Sequence, residues 1–116
     1  MGRGWNEKRE TQIAVAISDL GDRGHEVDSE AISKRLGSCQ SDLGELSEHD
    51  RAQISNVSGI SETEVHVLHG LEALKMDGII TAVAREIDQW PHIAGYDRIA
   101  LTGNGLSWVQ MLRRSR

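Results

Sequence analysis

Phenylalanine is missing from this chain of 116 residues, and aromatic residues of every kind make up only 3% of it. Its core must therefore be built from Ile, Leu, Val and Ala, with three Trp as the large pieces. Cysteine occurs once, at Cys39, which excludes an internal disulfide and favours a reducing compartment. Proline occurs once, at Pro91, so a single stretch carries the ring that breaks helices and central strands. No apolar run approaches the roughly 18 residues that cross a bilayer, and the start lacks an apolar signal-peptide core. A cytoplasmic protein with no membrane partner, folded as one domain over residues 1–116, is expected. Positive charge is also short. Thirteen Lys and Arg face 18 Asp and Glu, leaving a net charge of −5, which works against broad phosphate binding. The basic residues gather at the ends, Arg3, Lys8 and Arg9 at one and Arg113, Arg114 and Arg116 at the other, while the acids concentrate between Asp19 and Asp77.

Helical patterning fills most of the rest. A helix is predicted over 6–20, capped by Asn6, with Ile13, Ala16, Ile17 and Leu20 as its inward stripe. A second is predicted over 28–36, where Asp28 caps and Ala31, Ile32 and Leu36 face inward. Ser47 with Asp50 three residues on opens a short helix over 48–57, with Ile54 and Val57 inward. Ser61 with Glu64 opens a longer one over 61–77 that stops at Gly78. The alternating run from Thr81 to Ile87, the loop DQWPHIAG and a strand from Asp97 to Leu101 form a hairpin over 79–101. Thr102 caps a last helix over 103–114, whose glycines Gly103 and Gly105 are each expected to weaken its first turn by roughly 1 kcal/mol. The predicted class is mainly α with a small antiparallel β-hairpin, an α+β fold.

The helix over 61–77 carries two apolar patterns that disagree in phase. Val67, Leu71 and Leu74 form one inward row, and Val65 and Leu68 form another. At about 100° per residue they occupy different sides. Either the helix is buried on two sides, or Val65 and Met76 lie exposed beside His66 and His69. The outward face is then expected to show Glu62, Val65, His66, His69, Ala73 and Met76.

Three strings carry a resemblance. EAISKRLG ends the second helix, GLEALKMDGII ends the Ser61 helix and starts the hairpin, and DRIALTGNGLSWVQML joins the second strand to the last helix. In this order the chain resembles the winged helix-turn-helix domain of small bacterial and archaeal transcriptional regulators over nearly its whole length. The resemblance implies double-stranded DNA as partner, a recognition-type helix at 61–77 and a wing at 79–101. It departs from the pattern in an extra helix between Gly37 and Ser61. Because AQISNVSGISETEVHVLHG has its own helix-turn-helix spacing, the helix at His49–Val57 is favoured over Asp28–Leu36 as the immediate partner of the Ser61 helix.

The DNA-facing residues expected from this are Ser61, Thr63, His66, His69, Arg85, His92, Arg98, Arg113 and Arg114. Arg85 and Arg98 equally suit ion pairs with Glu86, Asp88 or Asp97. The alternative is a protein-interaction module presenting Val65, His69, Met76 and Trp108, for which the acidic balance speaks. The last helix has more apolar residues than one stripe needs, so a homodimer through it is expected. Trp90 and Tyr96 are read as packing the base of the hairpin, and Trp5 as covering one end of the first helix. Cys39, His49, His66 and His69 are ligand types without CxxC or HExxH spacing, so no metal and no cofactor are expected. Nothing resembles a nucleophile elbow, a phosphate loop or a paired-carboxylate site, so catalysis is not expected.

Overall fold

A computed structural model describes residues 7–24, 26–38, 43–57 and 59–114. The readings placed on Arg3, Trp5, the Asn6 cap, Cys39 and Arg116 lie outside these residues. The order is α1 (Glu7–Asp22), α2 (Ser29–Ser38), α3 (Glu48–Asn56), α4 (Glu62–Met76), β1 (Ile80–Glu86), β2 (Ile93–Leu101) and α5 (Gly103–Arg114). The fold is α+β, with five helices and one two-stranded antiparallel sheet among the described residues. Among the same residues no helix is long and apolar enough to cross a membrane.

α4 is the axis. Val65, His66, Val67, Leu68, Gly70, Leu71 and Leu74 are all buried on it. Both apolar rows read from the sequence therefore face packed neighbours, and Val65, expected on the outside, is 1% exposed. Ile13, Ala16 and Ile17 from α1, Ile32 and Leu36 from α2, and Ile80, Tyr96 and Ile99 from the hairpin complete the core.

α2, not α3, is the main partner of α4, which corrects the sequence preference. α2 brings Ile32 and Leu36 into the core, whereas α3 buries no residue of its own and touches α4 lightly. α3 is amphipathic only in outline: Ile54 and Val57 stay half-buried. It is anchored mainly through the segment before it, where Leu43 and Leu46 are buried. The segment between α2 and α4 thus contributes Leu43 and Leu46 to the interior, while its helix is largely surface.

Local chemistry sets the joints. Ser47 accepts from the Asp50 N–H at 3.1 Å and Ser61 from the Glu64 N–H at 3.2 Å, each holding one orphan donor of a helix start. At the end of α4, the Ile79 N–H donates to Leu74 O and the Gly78 N–H to Lys75 O. With Gly78 at φ 75° this is a Schellman ending, a left-handed conformation that glycine takes without penalty. It turns the chain directly into β1.

β1 pairs with β2 from Ile80↔Leu101 to Glu86↔Ile93, with register shifts between Thr81 and Val83 and between Arg85 and Glu86. Two further bonds tie the hairpin to the start of α2 and to the segment leading into it. The Tyr96 N–H donates to Ser29 Oγ at 3.0 Å, and the Ile99 N–H donates to Val27 O at 3.0 Å. Thr102 closes the far end: its hydroxyl donates to Gly78 O at 2.6 Å and accepts from the Gly105 N–H at 3.1 Å. Ending α4, starting β1 and starting α5 are therefore one hydrogen-bonded junction.

Candidate functional site

The exposed part of α4 is a narrow strip. His69, Glu72 and Met76 recur at helical spacing in its second half and are exposed, with Ala73 half-exposed among them and Lys75 to one side; Glu62 is exposed at its start, one buried turn away. Met76 is the most open of the large apolar residues, at 80% exposure. Ser61 is exposed but committed as the helix cap, and Thr63 is half-buried.

His66 does not belong to this strip, although it was expected to face outward. It is 5% exposed and turned toward α1, where Arg9 Nη1 lies 3.3 Å from its Nδ1. A guanidinium has only donors, so His66 Nδ1 must be the acceptor and the ring is neutral with its proton on Nε2. Burial first, then the Arg9 charge, lowers the His66 pKa below its ordinary value. Arg9 is itself lowered by burial. Protonating His66 would remove the acceptor and place a second cation against Arg9.

A pH dependence follows. In the unfolded chain His66 titrates near 6.5. The folded value is lower, so between the two the unfolded state holds more protons and stability rises with pH. The contribution is fully present above about 6.5 and is lost as pH falls toward the lowered folded value. Urea denaturation of wild type at pH 5 and pH 7 should therefore show a steeper loss of stability on acidification than a His66→Gln variant, whose amide oxygen still accepts from Arg9. Equal slopes would exclude His66 as a contributor.

His69 remains on the surface, but its Nε2 lies 2.9 Å from Asp50 Oδ2 and ties α3 to α4. The two carboxylates of the strip, Glu62 and Glu72, leave it net acidic. The sequence hid this because periodicity cannot show how far along a face the covering extends: Val65 and His66 are buried, while Glu72 and Ala73, seven residues on and on the same side of the helix, are exposed and half-exposed.

The arginines expected to contact DNA divide into two groups. Arg85 is captured: its Nη2 lies 2.6 Å from Glu30 Oε1 and its Nε 3.1 Å from Asp97 Oδ2. Arg113 is captured by Asp19 at 2.7 Å and by the Ser18 hydroxyl at 3.1 Å. Burial pushes the Glu30 carboxyl up, but hydrogen bonds from Arg85, its own backbone and Ser29 outweigh this and hold it below the usual carboxylate range. The carboxylates of Asp28, Glu30 and Asp97 come within 4.8 Å of one another, and Arg85 supplies the positive charge to that group. Arg98 and Arg114 are exposed and, among the described residues, have no ion-pair partner, as is also true of Lys34 on α2. His92 is exposed at the hairpin tip with φ 71°.

Comparison with known proteins does not extend this picture. No family model, curated protein or solved structure matches the chain.

The remaining residues expected at a partner interface separate in the same way. Trp108 is half-buried and packs against the core, so α5 presents Leu106 and Met111 instead, 51% and 63% exposed. Tyr96, read as a base-packing residue, is 2% exposed, with Lys75 Nζ 5.9 Å from its ring centre.

Proposed function

We propose that this chain is a winged-helix module whose recognition-type helix docks a protein partner and not DNA. The winged-helix reading is supported by α2 packed against α4, by the Schellman handover of α4 into the hairpin, and by α5 returning against α1. α3 is an insertion between the two helices of the helix-turn-helix pair. The observation that carries the protein-docking role is the outward strip of α4. It presents Glu62, Glu72, His69 and Met76, two fixed negative charges and one large exposed thioether, where a DNA reader presents Arg, Lys, Asn or Gln. A duplex carries one negative charge per about 1.7 Å of axis, so this strip is repelled by it. The partner surface that complements the strip is basic with an apolar socket for Met76.

DNA binding by a transcriptional regulator of this fold is the second reading. It is favoured by the exposed cations Lys34, Arg98 and Arg114, which have no ion-pair partner among the described residues. Titration of a labelled mixed-sequence duplex at about 50 mM salt separates the two. The protein-docking reading predicts no saturable binding. Saturable, salt-sensitive binding that weakens in a Lys34→Ala/Arg98→Ala variant would favour the regulator.

A further inference from the structure

A cavity of about 440 Å³ lies between the C-terminal end of α1, the base of β2 and the first turn of α5. That is within the size range of small-molecule sites. Its walls are chiefly apolar, from Ile17, Val27, Ile99, Leu101 and Leu106, and three charged residues, Arg98, Glu26 and Asp22, also line it.

Arg98 is the unusual one. It sits at the register shift where Val83 pairs with Asp97 and Thr81 with Ala100, so two residues of β2 oppose one of β1. The bulge turns the Ile99 N–H away from the hairpin to Val27 O, and it holds Arg98 at φ 53°. Glycine or asparagine fills such a left-handed position at lower cost than a long side chain. The chain instead places an arginine there, on the wall of its cavity. Strain of this kind persists where the surrounding structure enforces it and is concentrated at ligand sites.

The charges around the cavity are not spent on each other. Arg98 and Glu26 have no ion-pair or hydrogen-bonded side-chain partner among the described residues. Asp22 has only a long contact, 3.8 Å, with Arg113. The lining thus offers both signs of charge beside an apolar wall, the complement of a group that bears both. A simple anion would meet two carboxylates, and a simple cation would meet the guanidinium.

We propose that this cavity binds a zwitterionic small molecule with an apolar side group, of the size of an apolar amino acid or dipeptide. Arg98 takes its carboxylate, Glu26 takes its ammonium group, and Ile17, Ile99 and Leu106 take its side chain. The site is separate from the exposed strip of α4 and stands whether or not that strip docks a protein.

L-leucyl-L-leucine is the probe, titrated into the full chain by calorimetry up to about 10 mM. Its N-acetyl form lacks the cation, its C-terminal amide lacks the anion, and diglycine lacks the apolar groups. Saturable binding of the dipeptide is expected, weakened about tenfold or more by each of these three changes, because each leaves a polar or apolar partner unmatched. Arg98→Asn and Glu26→Gln should each weaken binding of the dipeptide about tenfold. Arg98→Asn should at the same time keep or raise Tm, since asparagine tolerates the left-handed backbone. No binding of the dipeptide would overturn the proposal. So would equal binding of the N-acetyl or amide form, or binding unaffected by both substitutions.

Discussion

Leu71→Ala should lower the stability of the chain by about 3 kcal/mol, with Tm falling by about 15 °C. Leu71 lies at the centre of α4 with no exposed surface, and α1, α2 and the hairpin all pack on that helix. Truncation removes the transfer energy of the buried methyl groups and leaves a cavity whose walls come from several elements at once. No single neighbour can collapse into it. For a domain whose whole stability is about 5–15 kcal/mol, this is a large share. Met76→Ala on the same helix is the control and should change stability by less than about 0.5 kcal/mol, because Met76 is 80% exposed. Urea titration of both variants checks the pair. Equal losses would mean that α4 is not the buried axis.

Gly105→Ala carries the second large effect, and its sign is the point. Helix propensity alone predicts a gain of roughly 1 kcal/mol for alanine in the first turn of α5. The packing predicts a loss. A Cβ on Gly105 would run into the carbonyl oxygen of Ile79, a backbone atom that also accepts the Thr102 N–H at 2.9 Å. Neither partner can rotate away, so α5 must shift from the junction that ends α4 and starts β1. A loss of about 2 kcal/mol is expected. Gly103→Ala, two residues earlier, meets open space and should instead gain about 0.5–1 kcal/mol. Thermal denaturation of the two variants should move Tm in opposite directions. Two gains would show that the junction has slack.

These two glycines mark what the sequence could and could not reveal. Both were read from it as equal weaknesses of one helix start. Propensity is a local property and treats them alike, while the approach of Ile79 is made by a chain segment more than 20 positions away. Ser47 and Ser61 were legible for the opposite reason, since a cap and its N–H are three residues apart. The same division runs through the candidate site. Periodicity located the apolar rows of α4, but it could not tell whether one or two of its sides were covered. That needed α1, α2 and the hairpin in place. His66 turned inward because Arg9, 57 positions earlier, donates to it. Arg85 lost its availability to Glu30, 55 positions earlier. Similarly, α3 has helix-turn-helix spacing, but nothing local shows that α2 holds the stronger claim on α4.

The proposed role rests on what remains exposed after this packing. If α4 were the DNA reader its order in the chain suggests, its outward residues would be donors to bases and phosphates. Two of its four principal outward residues are carboxylates, and two of the expected wing and terminal arginines are held by Glu30, Asp97 and Asp19. Electrostatic complementarity steers encounter as well as affinity, so an acidic strip selects against nucleic acid before any contact forms.

The most direct measurement places a photo-cross-linking residue at position 72, in the middle of the exposed strip of α4, and identifies what it captures in cells. The account predicts a protein adduct of defined mass that disappears when Met76→Asp is added, in a variant whose Tm is unchanged. Adducts to DNA at this position, or a protein adduct indifferent to Met76, would contradict it.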